Sequence, residues 1–299
     1  GGASNRWAQT EELRRLPSTI ELYRAAIAQS SGDMAGIARH ARRALDVADP
    51  DDHMSRGGAQ GFLGLAAWAQ GDVQLALATF GDAVARLHDA GALVDELSSS
   101  VVLADLWLVA GRPSNAVALY ERALRLAAAQ GDGFARASAD LHTGLSEIDC
   151  EMGDLGSARR HLELAATLGK HAAMGESGYR WFVAMSRIAR AEGDLERSIT
   201  LLEEAHGLYR PSFFPDIRPI PAMTARVRIA QRRLVQATDW ARDRGLVAVR
   251  GDDPGTRHVR VGERLLGGEG LRGDHEQGAA RIAAPRHVAD VNAVHVGDE

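Results

Sequence analysis

In the stretch YRWFVAMSRIAR, Arg180, Arg187 and Arg190 stand seven and ten residues apart. On a helix that spacing places all three on one face. Three like charges there repel unless solvent, acidic neighbours or an anionic ligand compensates, and an arginine fork suits a carboxylate or a phosphate. The same spacing occurs upstream. DLHTGLSEIDC carries Asp140, Thr143, Glu147 and Cys150, and SSSVVLADLWL carries Ser98, Val101, Asp105 and Leu108. Leu65 and Trp68 hold the corresponding places in FLGLAAWAQ, and Arg226 continues the series downstream. This is chemistry for binding, and its sign changes along the chain from apolar through acidic to basic.

Catalytic patterns are not apparent. The eleven histidines include no H-x-x-x-H pair, and none joins cysteines at zinc spacing. Cys150, the single cysteine, has only His142 within reach on its helix, two turns away, so a packed, inert thiol is expected. Gly268, Gly270 and Gly273 match G-x-G-x-x-G, but neither a strand before them nor a helix after them is predicted, so they read as a compositional accident. The only lysine, Lys170, has no phosphate-binding loop before it. No serine, histidine and aspartate order and no paired-acid signature stands out. No catalytic residue, metal or cofactor is assigned.

The elements that carry the charges repeat. Gly32, Gly71, Gly111, Gly153 and Gly193 each end one helical segment and precede another, and Arg232 takes the glycine's place in a sixth copy, at intervals of 39, 40, 42, 40 and 39 residues. Five residues after these turns stand Ile37, Ala76, Ala116, Ala158, Ser198 and Ala237. Nine after stand Ala41, Phe80, Tyr120, Leu162, Leu202 and Ala241, and twelve after stand Ala44, Ala83, Ala123, Ala165, Ala205 and Arg244. Those offsets share one helical face, so a small, large, small pattern lets a partner helix approach closely. The glycine suits a left-handed helix end, and the aspartate after most of the turns suits an N-cap. A hairpin of this kind cannot bury its apolar face alone. Stacking its neighbours completes the core, which predicts a helical solenoid.

Composition agrees. Aromatics are only 5% while apolar residues reach 45%, which favours helices packed through alanine and leucine over an aromatic-rich β core. The net charge of −5 offers no global basic field for nucleic acid. No apolar run approaches the ~20 residues needed to span a bilayer. A reducing, cytoplasmic setting is expected from the single cysteine.

The repeat resembles the tetratricopeptide (TPR) family: FLGLAAWAQGD carries the Leu63–Gly64 pair ahead of the turn, and NAVALYERAL matches its Ala, Tyr and Ala helix. The period near 40, rather than ~34, is similar to the helical sensor region of LuxR/MalT-like transcriptional regulators. That resemblance is strongest in LPSTIELYRAAIAQSSGDMAG, DDHMSRGGAQGFLGLAAWAQGD, YRWFVAMSRIARAEGDLERSITLLEEA and FFPDIRPIPAMTARVRIAQRRLVQATDWARDRGL. The last contains an unusual proline-rich link, Pro211 to Pro221. The resemblance implies an all-α, right-handed superhelix of about six TPR-like hairpins over residues 7–246, with first helices lining a concave groove. It further implies sensing of an effector or protein partner in that groove, relayed to an ATPase module and a helix-turn-helix DNA-binding module elsewhere in the full regulator. No direct nucleic-acid or membrane binding is expected of this region. A stand-alone TPR scaffold that docks a protein is the other reading.

The groove residues expected to bind are Trp68, Asp105, Asp140, Glu147, Arg180, Arg187, Arg190 and Arg226. Residues 247–299 break the pattern: from 251 on they hold nine glycines and no aromatic residue. Glycine costs ~1 kcal/mol per helical position relative to alanine, so the solenoid should not continue there. A natural disordered tail and a shifted reading frame both account for that composition.

Overall fold

The computed structural model describes residues 2–130, 134–169, 178–209 and 216–243. Among them are twelve α-helices and no strand: α1 (Gly2–Ser30), α2 (Met34–Val47), α3 (His53–Ala69), α4 (Val73–Asp89), α5 (Leu93–Val109), α6 (Pro113–Ala129), α7 (Ala135–Glu151), α8 (Leu155–Gly169), α9 (Gly178–Ala191), α10 (Leu195–Leu208), α11 (Ile220–Ala230) and α12 (Leu234–Asp243). The expected tail from 247 lies outside the described residues, as does Arg244. The chain divides into two units, Gly1–Ile220 and Pro221–Glu299. No helix among the described residues is long and apolar enough to cross a membrane.

Each predicted turn closes in the same way. Gly71 sits at φ +82°, its N–H donates to the Trp68 carbonyl at 2.9 Å, and the Asp72 N–H donates to the Ala67 carbonyl at 2.9 Å. This double closure of the last helical turn requires a left-handed residue, which glycine supplies without a steric penalty. The Asp72 carboxylate then accepts from the Leu75 N–H at 3.0 Å and starts α4. Asp33, Asp154 and Asp194 cap α2, α8 and α10 likewise. The third hairpin uses Pro113 in the first turn of α6 instead. Arg232 adopts φ +59° although it has a side chain, and the Arg233 N–H still donates to the Arg228 carbonyl at 2.8 Å.

The register read from the sequence is the packing register. Ile37, Ala76, Ala116, Ala158 and Ser198 are fully buried, and so are Ala41, Phe80, Tyr120, Leu162 and Leu202 four residues later. Seven residues before each turn the opposite helix presents Ala25, Gly64, Ala104, Ser146, Ser186 and Ala225, all small. In the fifth hairpin this contact is explicit, because the Ser186 and Ser198 hydroxyls meet at 2.8 Å and the Ser198 Oγ donates to the Ser186 carbonyl. A β-carbon at Gly144 would overlap the Tyr120 ring, and one at Gly64 would overlap that of Phe80.

Within the first unit the apolar core runs between hairpins. Leu97, Val101 and Ala104 of α5, Tyr120 and Ala123 of α6, and Leu141, Leu145 and Ile148 of α7 form one cluster. Leu162 of α8 meets Ala184 and Ile188 of α9 in another. First helices also pack on first helices: α1 on α3, α5 on α7, and α7 on α9. That layer is where the singled-out charges lie.

Candidate ligand and partner site

Asp105 on α5 and Glu147 on α7 occupy the same register position, six residues before their turns, and Arg180 on α9 stands thirteen before its own. Packing of α5 on α7 and α7 on α9 brings the three together. The Arg180 Nη2 donates to Glu147 Oε2 at 3.2 Å and lies 3.7 Å from Asp105 Oδ1. Arg180 is only 4% exposed. It is therefore no open basic end of a groove, because two carboxylates already neutralise it. The physical reason is burial: an unpaired guanidinium in the helix layer would be far costlier than a paired one.

A fourth member comes from outside the helices. Arg218, in the segment before α11, is 5% exposed and reaches both acids. Its Nε and Nη2 donate to the two Glu147 oxygens, each at 2.7 Å. Its Nη1 and Nη2 donate to the Asp105 oxygens at 3.0 and 2.7 Å. Burial alone would push the Glu147 carboxyl up, but Arg218 and then Arg180 hold it well below the usual carboxylate range. Sequence reasoning missed Arg218. The available signal was the link itself, in which Arg218 is the single basic residue of PSFFPDIRPIP.

Asp140, seven residues before Glu147 on α7, is 5% exposed and faces the same charges. It makes no hydrogen bond among the described residues. Burial pushes its carboxyl up to about 6, with Arg180 and Arg218 pulling against that and Asp105 adding to it. Arg180 Nε–H is a buried donor without a hydrogen bond, and the Tyr120 hydroxyl lies buried beside the cluster, also without one. Burial and the Asp105 charge push the Tyr120 phenol upward.

The remaining expected residues fall elsewhere. Trp68 is 6% exposed and belongs to the apolar cluster of Leu65, Ala76, Leu77, Phe80, Leu103 and Leu106, so it is a core residue and not an open groove aromatic. Its bulk fills the space between the second and third hairpins, and Ile217 packs against the same cluster. Arg187 donates to Glu151 Oε1 at 2.9 Å. Arg190 is half-buried in the last turn of α9. Arg226 is exposed on α11 in the second unit. The expectation for Cys150 agrees with its setting, since burial and Glu151 push its thiol up, away from nucleophilic use. No group of three or more potential metal ligands occurs among the described residues.

One polar pair was not anticipated. His142 of α7 and His161 of α8 stack with ring centroids 5.1 Å apart, their Nδ1 atoms 2.9 Å from one another. One ring must donate and the other accept, so the pair needs at least one neutral imidazole.

A search of curated proteins gave no match. Among solved structures the chain is similar to nearly identical TPR-like repeats from Podosopora anserina, at 20% identity and a TM-score of 0.47, covering 64% of this chain and 95% of that one. It is also similar to BtubC from P. vanneervenii, at 15% identity and a TM-score of 0.46, covering 87% and 98%. A tetratricopeptide repeat protein from Parabacteroides merdae matches at 12% identity and a TM-score of 0.40, covering 76% and 92%. Residues 18–265, most of the chain and past the boundary expected at 246, match the family described as the MalT-like TPR region. The chain belongs to the MalT-like TPR region family.

Proposed function

We propose that the chain is the signal-sensing, partner-binding region of a LuxR/MalT-type transcriptional regulator, and that it binds on its first-helix layer. The observation that carries this reading is the family match over residues 18–265 on a chain whose first helices gather charged side chains of both signs in one place. Repeat hairpins of this kind serve as interaction scaffolds, and their specificity lives in side chains such as these, not in the fold. Binding of an effector or protein partner there would alter contacts with an ATPase module and so govern a helix-turn-helix module in the complete protein. A stand-alone scaffold that docks a protein is the second reading, favoured by the helical-repeat surfaces alone.

The test has two parts. Sequencing the gene with several hundred bases on each side should reveal a nucleotide-binding loop upstream and a helix-turn-helix downstream, and unrelated genes on both sides would overturn the regulator reading. In the complete regulator, Arg187→Glu with Arg190→Glu should abolish effector or partner binding while the helical circular dichroism is kept. Unchanged binding would remove the first-helix layer of α9 as the site.

A further inference from the structure

We infer that the first-helix layer of the third and fourth hairpins is a docking groove for a short, non-helical, arginine-bearing peptide segment, and that Asp216–Arg218 of the chain itself occupies it as a built-in stand-in. This rests on the reading of that layer as a partner-binding face and names the partner's chemistry.

The occupant is a short, non-helical piece. Residues 216–219 carry no helix and bend at Ile217 and Arg218, and Pro219 disfavours a helical backbone at Arg218. Two successive side chains make the contact. Ile217 packs on the apolar cluster that contains Trp68, and Arg218 forks onto Asp105 and Glu147 with four hydrogen bonds. The groove expected from the sequence, apolar and then acidic, is thus matched by an apolar residue followed by a basic one. The Asp216 carboxylate accepts from the Arg218 N–H at 3.0 Å and so holds the segment's bend.

Charge sets what can replace it. Without Arg218 the helices supply Asp105, Glu147 and Asp140 against the buried Arg180, with Arg187 acting on Glu147 more weakly, so the vacated place is anionic and suits a planar fork with donors on both sides. A compact ammonium cannot serve two carboxylates bidentately.

The stand-in also leaves the site incompletely satisfied. Arg180 Nε–H is a buried donor with no hydrogen bond, and the Asp140 carboxylate, on a residue only 5% exposed, makes none among the described residues. A partner segment that places one backbone N–H and one carbonyl at those two atoms completes what Asp216–Arg218 does not, and so has a basis for displacing a tethered competitor.

The experiment uses the whole chain and the fluorescently labelled pentapeptide acetyl-Asp-Ile-Arg-Pro-Ile-amide, read by anisotropy. Arg218→Ala empties the place, and Arg218→Gln is a second variant that keeps more of the side chain. Because a tether supplies a local concentration in the millimolar range, the native chain should bind the peptide at least roughly tenfold more weakly than either variant. The same peptide with alanine in place of arginine should not bind, and adding Glu147→Gln to Arg218→Ala should remove binding. A folded variant that binds neither peptide, or binds both alike, overturns the inference. Loss of the helical signal in both variants also overturns it, because Arg218 is then a permanent part of the core. Failure here with binding still lost in the Arg187→Glu, Arg190→Glu regulator would leave the sensing reading in place.

Discussion

Arg218 and Asp105 are 113 residues apart in sequence, yet their side chains meet through two hydrogen bonds of 3.0 and 2.7 Å inside the helix layer. Glu147 closes the other side of the same guanidinium at 2.7 Å. The arrangement joins the third and fourth hairpins to the segment that follows the fifth.

Glu147→Ala should therefore destabilise the first unit by about 3 kcal/mol, because it leaves two buried arginines with Asp105 as the one carboxylate among the described residues hydrogen-bonded or ion-paired to either. Urea unfolding followed by circular dichroism measures this. The pH dependence has a definite sign: the folded-state pKa lies below the unfolded value near 4.5, so this contribution is complete above that pH and is lost on acidification below it.

Asp140 acts in the opposite sense. Its folded-state pKa of about 6 lies above the unfolded 3.8, so the folded state prefers the protonated acid and loses stability as pH rises from about 4 to 6. Asp140→Asn should leave stability at pH 4 unchanged and raise it at pH 7.5, by an amount on the order of 2 kcal/mol. Equal stability changes at both pH values would contradict the assignment.

The His142–His161 pair opposes Asp140 over much of the same range. Burial, and then the His161 charge, lowers His142 from 6.5 to about 4. Stability that is intact above pH 6.5 should fall as pH drops toward 4, since the unfolded chain takes up protons that the folded pair refuses. His142→Gln should flatten that limb of the curve, and an NMR titration of the His142 ring should show no protonation at pH 6.

Arg232→Gly tests the turn. A residue with a β-carbon held in the left-handed region costs roughly 1–2 kcal/mol, and Arg232 sits there at φ +59°. The substitution should slow hydrogen exchange in α11 and α12. Gly193→Ala, at φ +84°, should do the reverse for α9 and α10.

The hairpins were legible because their determinants are local. Asp194 reaches the Arg197 N–H three residues on, and the Schellman bond from Asp194 to Ala189 spans five, so spacing alone located the turns. Ala158, Leu162 and Ala165 are buried at the predicted offsets because a helix fixes which residues share a face. The charge cluster was half legible by the same rule: Asp105, Asp140, Glu147 and Arg180 stand at the singled-out positions of first helices that pack on one another.

Periodicity said nothing about what would stand opposite those positions. The chain by itself determined the repeat, its register, its caps and the face on which the charges lie, since each depends on hydrogen bonds and side-chain directions within a few residues. Tertiary structure alone decided that Arg180 is neutralised, that Trp68 is enclosed, and that Arg218 from an irregular link takes the centre of the cluster. Those outcomes depend on segments tens of residues apart meeting in a water-poor layer, where an unpaired charge or an exposed indole is unfavourable and the nearest complementary group, however distant in sequence, takes the place.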